Sequence, residues 1–302
     1  MMSSVRVWER TTRRAPFGLQ VWDFVSATHL VDGLEISVNA GAHSVSRTRA
    51  FANRSGIYCA FGVPGLSQFE LNADDTAAWN TQARRYKIEV RDPSDRFLPF
   101  AFDTGLPVRG LINWLMPWTS PPQPFVMPTE QGSPPMPMID CVPLFSAPSR
   151  PVPGHLAVVR AQLRELGTDR PAAWSLLTVS IDSIVRGIGL ADREGRVAIL
   201  FPYPERSRPV LTSPPSATND FRWSIELAAF YVPRQINTPA PEMPDLADLL
   251  NQLNSPRTLF HSTMSPPQAL PALPLEYRVP LTVRTEITAT ERPSSFLFVN
   301  TA

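Results

Sequence analysis

Proline accounts for 34 of the 302 residues, about twice the usual share of roughly one in twenty. Each proline fixes φ, lacks an amide proton and breaks a helix interior or a central strand. A chain punctuated in this way cannot be mostly helical, and its remaining apolar residues fall in short runs rich in β-branched and aromatic types. The expectation is an all-β protein: two related antiparallel β-sandwich modules joined by a proline-rich linker, with a C-terminal arm holding one short helix.

The runs that carry this reading are "GLQVWDFV", "GLEISV", "GIYCAFGV", "QFEL", "RYKIEV" and "RFLPFAF" in the first half, each bounded by Gly, Pro, Asn or Asp. Residues 1–112 form the first expected module. Residues 117–137, "PWTSPPQPFVMPTEQGSPPMP", hold eight prolines and favour extended polyproline geometry, so 113–141 reads as the linker. The second module, 142–235, contains "HLAVVRAQL", "AAWSLLTVSI", "GRVAILF" and "FRWSIELAAFYV".

An internal match links the halves. "FANRSGIYCAF" (51–61) aligns without gaps on "LADREGRVAIL" (190–200), pairing Asn53 with Asp192, Arg54 with Arg193 and Gly56 with Gly195. Asn or Asp bonding its own backbone, with Gly three residues later at positive φ, makes a hairpin loop. The charges of Asp192, Arg193 and Glu194 are then expected at a solvated tip rather than in a metal or substrate loop. Upstream, "LVDGLEISV" (30–38) and "PVPGHLAVV" (151–159) share V-x-G before a strand.

In "MPDLADLLNQLNSP" Asp245 is an N-cap candidate, Leu246, Leu249, Leu250 and Leu253 follow helical spacing, and Asn254 with Pro256 ends the run. Two covers fit the leucine stripe: the chain's own sandwich, the more ordinary one, or a neighbouring subunit. The closing runs "LTVRTEITA" and "SFLFVN" read as two strands that pair within the chain or lend an edge to another. Proline-rich flanks on both sides of the helix argue against a closed sheet built from this stretch alone, and 236–302 is expected to be a docking arm outside either sandwich core.

Composition narrows the function classes. A net charge of +1 provides no field for nucleic acid, although Arg6, Arg10, Arg13 and Arg14 cluster. Lys87 is the sole lysine; arginine in its place suits planar interface contacts, and codon bias explains the same excess. With only Cys59 and Cys141, and an N-terminus lacking an apolar core, no oxidised framework or signal peptide is indicated, and a cytoplasmic location is expected. No apolar run approaches the roughly 20 residues of a membrane helix.

Chemistry-bearing patterns are sparse. His29, His43, His155 and His261 form no metal-ligand spacing, Lys87 lies in a strand rather than a phosphate loop, and no G-x-S-x-G occurs. Cys59 sits in an apolar strand, where a thiol is inert. Asp74 with Asp75, and Asp92 with Asp95, are carboxylate pairs, the second in Asp-Pro turn context. Trp114 and Trp118 suit either a sugar platform or an anchor. No catalytic, cofactor-binding or metal-ligating residue is assigned, and no cofactor is expected.

Two resemblances add to this. "VDGLEISV" with "NRSGIYCAFGVPG", and "VPGHLAVV" with "ADREGRVAILFPYP", resemble the transthyretin-like sandwich of carboxypeptidase regulatory domains, an accessory fold without catalytic residues of its own. "GVPGL", "DRFLPFAFDTGLPVRGL", "VPLFSAPSRPVPG" and "GLADREGRVAILFPYPE" are similar in arrangement to proteins of extracellular contractile injection systems, the phage-tail-like particles. That resemblance implies a structural baseplate, collar or cap subunit in a particle released from the cell. Its partners would be other subunits of a large assembly, including copies of this chain in a ring. The rival class is a carbohydrate- or surface-binding module, marked by a planar exposed row of Trp or Tyr.

Overall fold

The computed structural model describes residues 13–40, 47–71, 83–108, 110–112, 142–204, 221–234, 239–261, 266–284 and 296–301. The expected linker, 113–141, lies outside them. The described chain is all-β, with a five-residue helix at Ser67–Leu71 and a second short helix near the C-terminus.

The N-terminal unit has strands β1 (Gly18–Leu19), β2 (Val21–Asp23), β3 (Thr28–His29), β4 (Glu35–Asn39), β5 (Arg47–Ala52), β6 (Tyr58–Cys59), β7 (Arg84–Arg91), β8 (Phe100–Leu106) and β9 (Leu111–Ile112). Seven of them form one sheet in the order β8-β7-β4-β5-β6-β1-β9. Its two edge strands, β8 and β9, are joined only by residues 107–110. Five chain steps reach at most about 18 Å, whereas six flat inter-strand gaps of ~4.8 Å need about 29 Å. The sheet must therefore curl, and it closes around Leu19, Ile36, Val38, Ile88, Phe100 and Phe102, all buried.

"QFEL" reads as a strand in sequence but folds as the helix Ser67–Leu71. Four residues are too few to separate a period of 2 from 3.6. Leu66 and Phe69, three apart, both enter the core. Buried Glu70 accepts from the Gly62 amide at 2.6 Å and pairs with Arg13.

The C-terminal unit has β10 (Val142–Leu144), β11 (Leu156–Glu165), β12 (Leu176–Ile181), β13 (Ile184–Leu190), β14 (Arg196–Pro202), β15 (Arg222–Phe230), β16 (Pro256–Arg257), β17 (Leu259–Phe260), β18 (Leu273–Glu276), β19 (Leu281–Thr282) and β20 (Phe296–Val299). Two sheets face each other, β14-β11-β20-β17 with β19, and β13-β12-β15-β16 with β18. Alternate residues of β11 (Ala157, Val159, Ala161, Leu163) and β14 (Val197, Ile199, Phe201) share one core with Leu177 and Val179 of β12 and Ile225 of β15. The opposite face of β11 and β14 is covered too: Val158, Ala198 and Leu200 pack with Val152 and with Val25 of the N-terminal unit.

Two expectations about organisation are corrected. First, residues 142–147 pair with the N-terminal unit. β10 runs parallel to β2, extending the small sheet β10-β2-β3, the Leu98 amide donates to Phe145 O at 2.9 Å, and Phe145 and Ala147 join that unit's core. Arg150 then clamps Asp23 in bidentate fashion, at 2.9 and 2.6 Å.

Second, residues 236–302 are not an arm outside the sandwich cores. β19 and β20 pair with the second edge of β11, and β16 and β18 with the second edge of β15, while Leu259, Leu275, Val283, Leu297 and Val299 are buried. The reason lies in strand length: β11 and β15 span 10 and 9 residues and present long open edges, which the short tail strands fill.

The helix forms as expected, over Leu246–Asn251, with the Asp245 side chain accepting from the Ala247 amide at 2.8 Å. A 3-10 turn, Gln252–Asn254, ends it before Pro256. Its stripe is covered within the chain: Leu246 and Leu249 are buried in the N-terminal unit's core cluster, and Leu250 and Leu253 pack on it. Burial of one such leucine is worth about 1.5–3 kcal/mol. Trp174 donates to Pro241 O at 3.0 Å, Gln252 to Trp174 O at 2.9 Å, and the Ala101 amide to Pro244 O at 2.9 Å, so the helix sits at the junction of the two units.

Candidate interaction surfaces

The matched segments do share a turn. Asn53 Oδ1 accepts from the amides of Ser55 (2.9 Å) and Ile57 (3.0 Å), and Asp192 Oδ1 from those of Glu194 (2.9 Å) and Arg196 (2.8 Å). Gly56 and Gly195 each donate to the carbonyl three residues back at 3.0 Å, at φ of +71° and +77°. A third copy occurs at 92–96. Asp92 accepts from the amides of Ser94 and Arg96, and Asp95 takes the left-handed position at φ +52°. Asp tolerates that region through local hydrogen bonding, so the turn forms without glycine and the sequence match does not reveal it. Upstream, V-x-G is a looser match, because Gly33 has φ +80° whereas Gly154 is not among the positive-φ glycines.

Two details differ from expectation. Around Asn53, β5 and β6 pair as a hairpin, but β13 and β14 lie in different sheets, so the Asp192 turn is an arch between sheets. Gly187 and Gly189 permit this close approach: a Cβ on Gly189 would stand 2.8 Å from Ile199 and 2.9 Å from Val197. Nor is Asp192 at a solvated tip. It is buried, with Arg196 Nε donating to its Oδ2 at 2.8 Å, while Arg193 and Glu194 are exposed. The Asp192 hydrogen bond raises the Arg196 pKa. Burial pushes the Asp92 carboxyl up, but the Arg96 hydrogen bond and the backbone donors outweigh it and hold the group below its ordinary range.

Two of these turns border an open cleft of about 500 Å³ between the units. Asp95 and Phe97 come from one side, Arg160, Gln162, Asp192 and Arg196 from the other. Arg196 is already engaged by Asp192 and Glu194.

The remaining sequence candidates are not brought together. His29 packs edge-on against Trp22 at 4.8 Å, His155 is exposed, and His261 is buried near Gln268. No group of three metal-ligating side chains occurs among the described residues. Cys59 is buried, and burial raises its thiol pKa. Arg6, Arg10, His43, Asp74, Asp75, Trp114, Trp118 and Cys141 lie outside the described residues. None of the described helices is long and apolar enough to cross a membrane.

Sequence reading missed an aromatic cluster at one end of the C-terminal sandwich. Tyr203 lies 5.4 Å from Trp223 and 4.8 Å from Tyr277, and Phe221 lies 6.0 Å from Tyr277. All four are half-buried. The interplanar angles of 34°, 62° and 64° make an interlocked knot rather than the coplanar row that stacks on sugar faces. Arg278 lies over Tyr277 at 5.3 Å, and Val279 beside it is 49% exposed. The signal available in sequence was Phe221-x-Trp223-x-Ile225, one face of a strand, but Tyr203 and Tyr277 arrive from distant strand ends. A second patch lies on the N-terminal unit, where Phe51, 52% exposed, stacks on Phe61 at 6.0 Å and Arg13 covers Phe61 at 5.2 Å. No family model, no curated protein and no solved structure matches the chain.

Proposed function

We propose that the chain is a non-enzymatic structural subunit of a contractile, phage-tail-like injection particle, an accessory baseplate, collar or cap component that acts through protein–protein contacts. The observation that carries the reading is the pair of aromatic–arginine patches on different sheets. Trp, Tyr and Arg dominate interface hot spots, and a head-to-tail ring or stacked layer needs two different surfaces on each subunit. The arrangement of "DRFLPFAFDTGLPVRGL" and "GLADREGRVAILFPYPE" supports the particle assignment, and the knotted geometry of Tyr203, Trp223 and Tyr277 weighs against a sugar platform.

Mass spectrometry of sheared, sedimented particles tests the assignment. The chain is expected among the particle proteins, and Tyr277→Ala with Phe51→Ala is expected to abolish its incorporation while leaving the fold intact. Absence of the wild-type chain from the particles refutes the reading, and glycan binding that Trp223→Ala removes replaces it with the rival.

A further inference from the structure

The cleft between the units carries a charge that the fold does not use. Its volume of about 500 Å³ is enclosed by three stretches: Phe97, Leu98 and Pro99 lead into β8, Ala147 and Pro148 follow β10, and Arg160, Arg196 and Thr282 stand on β11, β14 and β19. It shares no residue with either aromatic patch. Along β11, Ala157, Val159, Ala161 and Leu163 face the sandwich core, so Arg160 and Gln162 face outward into the cleft.

Arg160 is the cation left over. Its in-register neighbours are Ala198 on β14 and Thr282 on β19, neither of them acidic. The polar groups around it are engaged elsewhere: Arg196 donates to Asp192 and Glu194 at 2.8 and 3.0 Å, Gln162 Nε2 to Glu194 O at 3.2 Å, and Ser149 Oγ to Asp95 O at 3.1 Å. Among the described residues no ion pair or hydrogen bond holds the Arg160 side chain, although the residue is half-buried. Its planar fork matches a carboxylate in bidentate fashion. Charge and shape then limit the ligand. Two arginines, Arg160 and Arg196, stand against two aspartates, Asp95 and Asp192, in the lining, so a single carboxylate is matched and a polyanion is not. Small-molecule sites bury most of the ligand's surface, whereas this cleft is open and suits one side of an extended chain.

We propose that the cleft holds an extended segment of a partner protein, with one Asp or Glu side chain on Arg160 and apolar neighbours against Pro99 and Pro148, both half-buried. The carboxylate supplies the counter-charge that the fold withholds from Arg160, and the prolines offer apolar surface without competing amide donors. Because Pro99 and Pro148 belong to one wall and Arg160 to the other, the occupant touches both units at once.

The test is an array of acetylated, amidated hexapeptides of varied sequence, probed with the full chain, followed by titration of the best binder in solution. Selection of Asp or Glu at one position flanked by apolar residues is expected, and replacing that acid by its amide in the best binder is expected to weaken binding roughly 10- to 100-fold. Arg160→Gln is expected to abolish the acidic preference, and Arg193→Gln, at the exposed turn, to keep it. Should Arg160→Gln fail to fold, Thr282→Trp tests the same cleft from an exposed position, where the larger ring is expected to block the peptide. The proposal is overturned by a wild-type chain without acidic preference, by the same preference in folded Arg160→Gln, or by undiminished binding in Thr282→Trp. Saturable binding of benzoate as tight as that of the best peptide overturns it too, since the cleft would then be a small-molecule site.

Discussion

The two units use the same turn for different ends. Around Asn53 it folds two strands of one curled sheet back on each other, and a neighbour of the turn, Val31, is half exposed. Around Asp192 the same bonds carry the chain from one sheet to the other, against the backbone of β11: the Leu163 amide donates to Gly195 O at 2.7 Å. A local motif thus specifies its own hydrogen bonds, while the surrounding packing decides what those bonds connect. The closure of the units differs in the same sense, because the N-terminal sheet curls onto itself whereas the C-terminal sandwich borrows its last strands from the far end of the chain.

The largest expected effect breaks that second contrast. Truncation after Pro233 removes β16 to β20 together with buried Leu259, Leu275, Leu297 and Val299, uncovering the edges of β11 and β15. The truncated chain is expected to aggregate; a soluble, cooperatively folded product in sedimentation and circular dichroism would mean that the tail strands are dispensable.

Next comes the turn itself. A Cβ at Gly195 would lie 2.3 Å from Leu163 O, a backbone atom, whereas at Gly56 it would meet the Val31 side chain at 2.5 Å. Both positions have positive φ. Gly195→Val is therefore expected to cost about 4 kcal/mol or more and Gly56→Val about 1–3 kcal/mol, because only Val31 can rotate aside. Urea unfolding measures both, and equal losses would erase the distinction between hairpin and arch.

The capping residues sharpen it further. Asp192→Ala strips a buried carboxylate from two amides and Arg196 and is expected to cost about 3 kcal/mol; Asn53→Ala, at an exposed turn, about 1 kcal/mol. Glu194→Ala, with both partners of its ion pair largely exposed, is expected to change stability by less than about 0.5 kcal/mol.

Much of this was legible in sequence, for reasons that can be named. Asp245, the leucine spacing and Pro256 specify a helix through local bonds alone. The turns at 53 and 192 are equally local. What the sequence did not disclose is where edges are filled: "SFLFVN" reads as a strand, but nothing in it identifies the β11 residues Gln162–Glu165 as partners. Asp192 reads as a charged tip because the residues its turn folds against, Trp174 on the Asp192 carbonyl and Leu163 on Gly195, come from far upstream. The aromatic knot escaped notice because Tyr203 follows β14 in one sheet and Tyr277 follows β18 in the other, far apart in the chain, and they meet only where the two sheets face each other.

The smallest effect concerns acid. Asp23 and Asp92, both in the N-terminal unit, are held below the ordinary carboxylate range. For each, burial raises the pKa and is outweighed, at Asp23 by the hydrogen bonds and charge of Arg150 and at Asp92 by the Arg96 hydrogen bond and backbone donors. A depressed pKa contributes stability above the unfolded value, near 4, that disappears as pH falls through the folded value. Amide exchange across an acid titration is expected to show the N-terminal unit loosening first, with Asp23→Asn flattening that dependence; simultaneous loosening of both units would contradict it.

The pairing of β9 with β1 and of β10 with β2 has a topological consequence. β1 and β2 are separated by Gln20 alone, so the proline-rich segment 113–141 departs from one strand of the N-terminal unit and returns to its neighbour. Its two flanks, Ile112 and Val142, therefore stand beside neighbouring strands of the N-terminal unit. Cleaving it would leave two polypeptides zipped together by their strands, and doubling its length would cost only about 0.6 kcal/mol of closure entropy. Fused cargo or a tag could ride there without altering how the two halves meet.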